Sequence, residues 1–289
     1  MITKAFGNIG NDVRYLTYGY SSEGIKNIIR YSIPRSLGLD VESNKREEFA
    51  ARVNKEIKSF KPDAIVLIRG DFLSDMLVEP IKNTSNRPKI VVWIMDGIDQ
   101  LGRLLRYKNI IDHWFVFEPT DVRKLKRKYN IDADFLPLAH DPSYYHPIFK
   151  DDNKTGLQAD ISFIGSVKDK NRLILLNDLS KWSIRKELDF KIITGNYRPR
   201  NYHLIYPYRS LWKNLYKNNL HHFKVNILYN NCAVNINIHK DQSIQGMNMR
   251  FFEILGSGGL QLVEEKKSQH FLGFEPNQDF LTYSCYEEM

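Results

Sequence analysis

Apolar residues recur along this chain in two rhythms, which together predict alternating strands and helices. Phe49, Val53 and Ile57 recur at helical spacing and predict a helix over residues 43–60. Uninterrupted apolar runs predict strands covered on both faces, as in a parallel sheet. In the first half these runs are residues 64–68, 89–95, 113–117 and 133–138, and residues 12–18 predict one more strand after a short opening helix. Strands separated by helices predict a doubly wound sheet.

A break interrupts this alternation, after which it restarts. Residues 140–147 contain two prolines and the polar run 150–158 follows them, a composition that predicts a linker. Beyond it, the pattern predicts strands over residues 160–164, 190–194, 233–239 and 260–263, and helices over 171–182 and 248–257. The predicted fold class is therefore α/β, with two Rossmann-like doubly wound domains at residues 1–145 and 146–289.

The composition excludes several classes of protein. Of the 289 residues, 42% are apolar and 26% are charged, which is typical of a globular protein and not of a disordered chain. The two cysteines, Cys232 and Cys285, are too few for a disulfide scaffold or a four-thiolate metal site. No apolar run is long enough to span a bilayer, and the chain does not open with a signal-peptide core. We therefore expect a soluble cytoplasmic protein.

An excess of basic residues indicates an anionic partner. There are 42 lysines and arginines against 34 acidic residues, a formal charge of +8. This charge favours nucleic acid, a phosphorylated metabolite or an acidic membrane surface. The sequence contains no recognised nucleic-acid-binding motif, so we expect no nucleic-acid partner. Residues 197–224 mix basic and aromatic side chains. Two alternatives stay open for them: contact with an anionic partner, either the inner membrane face or a polyanionic acceptor, or a helix packed on the second domain.

Small and polar residues follow several predicted strands, at the ends where open α/β sheets bind ligands. Backbone N–H groups and helix N-termini face the crevice there. Gly165-Ser166 and Gly195 follow two strands of the second half and together suit an anion-binding cleft, although a glycine after a strand is also ordinary turn chemistry. In the first half, Asp96 follows a strand. Neither a Walker phosphate loop nor G-x-G-x-x-G is present, which disfavours a P-loop ATPase or an ordinary dehydrogenase.

The densest group of polar residues lies between residues 237 and 259. It contains Asn237, the pair Arg250 and Glu253, and the glycines Gly258 and Gly259. Arg250 and Glu253 are three positions apart, so they share a face at the start of the predicted helix. Two interpretations stay open: an intrahelical salt bridge, or a pair facing a ligand, with Arg250 on a phosphate and Glu253 on ribose hydroxyls.

Two of these stretches resemble a known family. Residues 228–237 and 248–259 resemble the CgeB-like, spore-maturation-type glycosyltransferases, and residues 160–166 with Asn171-Arg172 resemble the opening strand of that family's nucleotide-sugar domain. The resemblance implies the GT-B fold and a group 1-like hexosyl- or related transferase, in which two Rossmann-like domains face a donor cleft. It also implies transfer from a UDP-, GDP- or dTDP-linked sugar to a glycan or other hydroxyl acceptor, with no obligatory metal or cofactor.

The resemblance also implies roles for individual residues. In related group 1 enzymes a glutamate five residues before a glycine of this helix binds the donor ribose, and Glu253 and Gly258 match that spacing. A positively charged diphosphate site is expected, and Asp96 and His140 are candidates for a catalytic base. The residues expected to bind the donor are Gly165, Ser166, Arg172, Gly195, Asn237, Arg250, Glu253, Gly258 and Gly259. The histidines do not have the spacing of a known metal site, so no metal ligands are expected.

Two departures from the family keep a second function open. Gln245 stands where relatives often carry another glutamate near the donor sugar, which leaves the donor sugar and the stereochemistry open. Family members also usually have a strand before, and a helix after, the stretch present here, so we expect uncovered apolar surface, with either self-association into a homo-oligomer or marginal stability. Both departures favour the alternative of a non-catalytic binding or assembly protein with the GT-B fold.

Overall fold

The chain divides into two compact units. The computed structural model describes residues 2–18, 41–70, 72–84, 86–98, 101–102, 104–148, 157–167, 169–194, 208–216, 220–239 and 243–285. One unit is formed by Met1–Phe117 and Asp121–Leu136, and the other by Glu118–Thr120 and Pro137–Met289. Each unit is built on its own parallel sheet. The described helices are all too short or too polar to cross a lipid bilayer.

The described strands of the first unit form a parallel sheet in the order β1-β2-β3-β4. The elements are α1 (Ile2–Asn8), α2 (Val41–Phe60), β1 (Ala64–Ile68), α3 (Asp75–Lys82), β2 (Lys89–Ile94), a 3-10 helix (Leu104–Ile110), β3 (His113–Val116), α4 (Pro119–Tyr129) and β4 (Asp134–Phe135). Val92 in β2 and Leu125 in α4 are completely buried, as expected where helices cover a parallel sheet. The strands that the apolar runs predict are confirmed.

Residues 12–18 form no strand, so the strand predicted there is wrong. Side chains hold this segment instead. Arg52 Nη2 donates to the Thr17 carbonyl at 2.7 Å, and the Tyr18 ring packs on Phe49 and Phe72 with centroid distances of 5.2 and 5.5 Å. Alternation in a sequence marks which side chains are packed, and here the partners are side chains of α2 and of the segment after β1 rather than a neighbouring strand.

The second unit also alternates strands and helices around a parallel sheet. Its described elements are β5 (Ala159–Ile164), α5 (Lys170–Arg185), β6 (Phe190–Ile193), α6 (Arg209–Lys213), α7 (His222–Asn231), β7 (Cys232–Asn237), α8 (Met249–Gly256), β8 (Gln261–Glu264), α9 (Lys267–Phe271) and β9 (Leu281–Tyr283). The strand order is β6-β5-β7-β8-β9. Every element predicted in this half is present. α7, α9 and β9 are additions that the hydrophobic pattern does not predict. α9 and β9 are too short to show a period.

The segment that precedes the second sheet packs on the second unit. Tyr145 is 1% exposed and lies in an apolar cluster with Val225 and Tyr229. The His146 N–H donates to Asn226 Oδ1 at 3.2 Å. The boundary that the sequence predicts between residues 145 and 146 therefore falls inside the second unit, whose main segment begins at residue 137.

Two stretches singled out in the sequence lie partly outside the described residues. The undescribed parts are residues 149–156 of the predicted linker, and residues 197–207 and 217–219 of the basic and aromatic stretch. The described part of the second stretch contains α6. Leu211 in α6 is completely buried, and its N–H donates to Asn177 Oδ1 of α5 at 3.3 Å. This part therefore packs on the second unit.

Candidate functional site

The strand order of the second sheet creates a switch point between β5 and β7. β5 lies between β6 and β7, and the chain runs from β5 to β6 before it returns to β7 on the other side. The connections that leave β5 and β7 therefore diverge, and ligands of open α/β sheets bind where this happens. Residues 164–166 leave β5, and residues 238–239 leave β7. These two loops and the N-terminus of α8 form the switch-point site.

Arg172 joins the two loops of the switch-point site. Asp169 caps α5, and its Oδ1 accepts the Arg172 N–H at 2.9 Å, which places Arg172 in the first turns of the helix. The Arg172 guanidinium donates to the Ser166 carbonyl at 3.0 Å and to the Ile238 carbonyl at 2.8 Å. Arg172 is buried. It therefore fixes the spacing of the two loops and adds a positive charge to the site.

Two asparagines fix the start of α8. Asn248 is the N-cap, and its Oδ1 accepts the Phe251 N–H at 3.1 Å. Its Nδ2 donates to Asn237 Oδ1 at 2.8 Å and reaches the Ile238 carbonyl at 3.5 Å. Asn237 is buried and donates to Gln261 Oε1 at 3.3 Å. Both ends of the Asn237 amide thus contact protein, and this predicted donor-binding residue holds the helix against β7.

Arg250 and Glu253 form an ion pair on α8. Glu253 is 1% exposed, whereas 36% of the Arg250 side chain is exposed. Arg250 Nε also donates to the Ile164 carbonyl at the end of β5, at 3.2 Å. Burial opposes the charge of Arg250, but Tyr229, Glu253 and Tyr145 outweigh it and raise the pKa of the guanidinium. Arg250 is therefore the charged member of the pair that a ligand can reach.

Tyr145 interacts with this ion pair. Its hydroxyl is influenced by the Glu253 carboxylate and lies 2.7 Å from His222 Nδ1. Burial and the Glu253 carboxylate raise the pKa of Tyr145, so the hydroxyl keeps its proton at neutral pH. Arg250, Glu253 and Tyr145 together form the paired cluster, in which each polar side chain has a protein partner.

The predicted glycines of the β5 loop and of α8 have distinct backbone roles. The Gly165 N–H donates to the Ile193 carbonyl at 2.9 Å. Gly258 has a φ of +76° and ends α8 in a Schellman motif, because its N–H donates to the Leu255 carbonyl at 2.9 Å while the next N–H reaches Ile254. A Cβ at Gly259 would lie 2.5 Å from the Tyr229 carbonyl oxygen. Gly258 and Gly259 therefore lie at the C-terminal end of α8. Gly195 lies outside the described residues.

The two candidate bases belong to different units. His140 lies in the second unit, where a Cβ at Gly256 would come within 2.4 Å of its Nε2. Its imidazole therefore lies directly on α8, three positions along the helix from Glu253. Asp96 follows β2 in the first unit, and its Oδ2 lies 3.6 Å from Arg69 Nε. In the part of the chain that the structure describes, no three His, Cys, Asp or Glu side chains are grouped so as to hold a metal ion.

His239 is a residue of the switch-point site that the sequence analysis does not count among the donor-binding residues. It is 7% exposed, and among the described residues neither of its ring nitrogens has a hydrogen-bond partner. Burial, followed by the charges of Lys266 and Arg172, lowers its pKa to about 3. The ring is therefore neutral at neutral pH. In the sequence, His239 ends the predicted strand of residues 233–239 within the dense polar group of residues 237–259, but the pattern assigns it no contact with a ligand.

Buried polar side chains hold the loop that leads into α8. Glu118, which is 1% exposed, accepts the Gln245 and Gly246 N–H groups at 3.0 and 2.8 Å. Lys266 Nζ donates to two carbonyls of the same loop at 2.7 and 3.3 Å. The Ser268 hydroxyl donates to the Gln245 carbonyl. The backbone at Gln245, the position where relatives often carry a glutamate, is therefore fixed from three directions.

Part of this unit matches a known family. Residues 173–289 match the family model described as glycosyl transferase-like. This stretch includes β7, α8 and the loop between them, and therefore most of the switch-point site. No curated protein sequence matches the chain.

Solved structures show which fold the two units form. The catalytic domain of starch synthase IV from Arabidopsis thaliana, bound to ADP and acarbose, matches with a TM-score of 0.61 at 8% identity, over 86% of this chain and 68% of that one. Sucrose-phosphate synthase from Thermosynechococcus elongatus gives 0.58 at 13% identity, over 84% and 67%. A UDP-forming α,α-trehalose-phosphate synthase from Burkholderia xenovorans, in complex with glucose-6-phosphate, gives 0.54 at 9% identity, over 84% and 67%. The chain has the GT-B fold of two Rossmann-like α/β domains, and its residues 173–289 are similar to the glycosyl transferase-like family.

Proposed function

We propose that this protein is a glycosyltransferase that binds a nucleotide-sugar at the switch-point site and transfers the sugar to a glycan or another hydroxyl acceptor. The observation that carries the proposal is the position of Arg250. It lies in the first turn of α8, is partly exposed, and is tied to the end of β5. A fixed cation at a helix N-terminus, at the carboxyl end of a parallel sheet, suits an anionic ligand.

The comparisons support the same class of ligand. The family model that matches residues 173–289 describes glycosyl transfer. The starch synthase structure contains ADP, and the trehalose-phosphate synthase is UDP-forming. The more specific CgeB-like assignment rests on the resemblance of residues 228–237 and 248–259, and UDP, GDP and dTDP are the donor nucleotides that it implies.

Positive charge at the switch-point site would stabilise the leaving group of the proposed reaction. When the bond to the sugar breaks, negative charge develops on the departing nucleoside diphosphate. Arg250 and Arg172, with the N–H groups of the β5 loop and the first turn of α8, would stabilise that charge without a metal ion. Their positions are set by backbone contacts before the ligand arrives, so little reorganisation is needed at the moment of reaction.

Other residues have supporting roles in this proposal. Glu253 interacts with Arg250 and Tyr145. Its side chain is 1% exposed in the free protein, and its contact with the donor ribose stays a prediction. Asp96 or His140 would act as the base toward the acceptor. His140 lies on α8. Because a base acts in the transfer step and not in nucleotide binding, its substitution should change kcat more than the affinity for nucleotide.

Calorimetry with free nucleotides tests the proposal. We expect one of UDP, GDP, dTDP or ADP to bind the full chain, and Arg250→Ala to weaken that binding about ten- to a hundredfold, the usual cost of losing a charged hydrogen bond. Lys181→Ala, on the exposed face of α5, removes the same charge away from the site and should leave the affinity unchanged. No binding of any of the four nucleotides would contradict the proposal.

A non-catalytic binding or assembly protein is the second candidate. Gln245 favours it, since an amide replaces a carboxylate at a position whose backbone is held in place by Glu118 and Ser268. The two candidates differ in turnover. A transferase releases nucleoside diphosphate from its nucleotide-sugar, with water or a glycan as acceptor, whereas the binding protein would hold the nucleotide without releasing product. Sedimentation of the full chain tests the predicted homo-oligomer separately.

A further inference from the structure

His239 is a buried polar side chain whose hydrogen-bonding capacity is unused within the described protein. An imidazole has two ring nitrogens, and in its neutral form one donates and the other accepts. Both nitrogens of His239 are enclosed, and among the described residues neither is paired. Native proteins pair nearly all buried polar atoms, because each unpaired one costs free energy of desolvation. A position that tolerates this cost requires an explanation.

The backbone on either side of this ring is held in place. Arg172 Nη2 donates to the Ile238 carbonyl at 2.8 Å, and Asn248 Nδ2 reaches the same oxygen at 3.5 Å. Arg172 lies in the first turn of α5, and Asn248 caps α8. The residue after Ile238 is therefore fixed at the point where β7, α5 and α8 meet, which is the switch point itself.

The surroundings of the ring are cationic. The charged groups that act on His239 are the Lys266 ammonium and the Arg172 guanidinium, and after burial they are what disfavours its protonation. Lys266 is held by the Ser243 carbonyl at 2.7 Å and by Glu264 Oε2 at 3.2 Å. A neutral donor near two fixed cations suits an anionic oxygen, because the cations supply charge and the imidazole N–H supplies a directed hydrogen bond.

We infer that His239 binds the diphosphate of the donor, with one ring N–H donating to a phosphate oxygen beside Arg172 and the N-terminus of α8. This inference rests on the proposed nucleotide-sugar donor for its ligand. The second ring nitrogen, as an acceptor, would take a hydroxyl of the sugar or of the ribose. His239 is thus a binding residue in addition to the set predicted from the sequence.

Two substitutions at His239 separate this role from a packing role. His239→Leu replaces the ring with an apolar side chain and removes both unpaired nitrogens, so the free protein should melt at the same temperature or higher. The same change should weaken binding about ten- to a hundredfold. His239→Gln retains a donor and an acceptor and should restore most of the affinity. His270→Leu, at a histidine whose side chain is 47% exposed, is the matched control and should change neither quantity.

The probes are inorganic pyrophosphate and the four nucleoside diphosphates, titrated into each full-length variant by calorimetry alongside thermal unfolding of the free proteins. Weaker pyrophosphate binding in His239→Leu, with an unfolding midpoint that does not fall, supports the inference. Equal binding by His239→Leu and the unsubstituted protein overturns it, as does a lower midpoint in both variants with equal losses of affinity, since that pattern indicates packing.

The pattern across probes distinguishes failure of this inference from failure of the proposed function. If a nucleotide binds and His239→Leu binds it equally well, the His239 inference fails and the proposed function stands. If pyrophosphate binds in a His239-dependent way but no nucleotide binds, the anion site stands and the nucleotide-sugar donor fails. If neither probe binds the unsubstituted protein, both fail.

Discussion

Two groups of buried polar side chains at the carboxyl end of the second sheet differ in whether their polar atoms are paired within the protein. In the paired cluster, Arg250, Glu253 and Tyr145 contact one another, so each buried polar atom has a partner in the free protein. His239 lies in the same unit with neither ring nitrogen paired among the described residues. We therefore expect the paired cluster to contribute both to stability and to binding, whereas His239, unpaired among the described residues, should cost stability that the proposed ligand restores. Substitutions should separate these two behaviours.

The largest effect is expected where one partner of the paired cluster is removed. Arg250→Ala leaves the enclosed Glu253 carboxylate without its cation, and an unpaired buried charge typically costs about 3 kcal/mol of unfolding free energy. Urea unfolding at pH 7.5 measures this loss. The double variant Arg250→Met, Glu253→Gln removes both charges and should recover most of it. A cost below about 1 kcal/mol for Arg250→Ala would mean that the pair behaves like a solvated surface salt bridge.

The pH dependence of stability should report His239 directly. Its pKa is lowered from 6.5 to about 3 in the folded protein, so between these values the unfolded chain binds a proton that the folded protein does not. Stability is then lost as the pH falls below 6.5, by about 2 kcal/mol between pH 7.5 and pH 5. Urea unfolding of His239→Leu at both pH values should show a pH-dependent loss that is smaller by this amount. Identical pH dependence in the variant and the unsubstituted protein would contradict a buried, uncharged His239 ring in the folded protein.

A smaller effect is expected from the hydroxyl that completes the paired cluster. Tyr145→Phe removes the hydrogen bond to His222 and the interaction with Glu253 while keeping the buried ring, and a single buried hydrogen bond contributes about 1 kcal/mol. Chemical denaturation measures the difference. Tyr144→Phe provides the control because Tyr144 is 43% exposed, and it should be close to neutral. If the two variants behave alike, Tyr145 contributes packing alone.

The sequence is informative about the sheets and less so about the site. Parallel strands covered on both faces leave uninterrupted apolar runs, which is why β1, β2 and β5 can be predicted. The run at residues 133–138 overstates β4, which is two residues long, and β9, at three residues, leaves no such run. The alternation of residues 12–18 is real, but its packing partner is a helix and not a strand.

Helical spacing predicts that Arg250 and Glu253 share a face, and the structure agrees. What surrounds that face depends on residues distant in the chain, since Tyr145 and the Ile164 carbonyl complete the contacts. The same reason hides His239, whose burial and neutral charge depend on Arg172 and Lys266. The local sequence pattern can therefore identify the helix that carries a site, but it cannot tell which nearby polar side chains have hydrogen-bond partners.

The Ile238 carbonyl, shared by Arg172 and Asn248, has a consequence for transplanting this site into another doubly wound protein. A planar guanidinium can reach two carbonyls of separate loops at once, which a lysine ammonium, as a single point charge on a flexible stem, does not reproduce. A designer who copied only the helix of residues 249–256 would transfer Arg250 without the Ile164 carbonyl and the neighbouring loops that orient its side chain. The smallest portable unit is the two strand-end loops, the arginine that spans them and the asparagine cap, moved together.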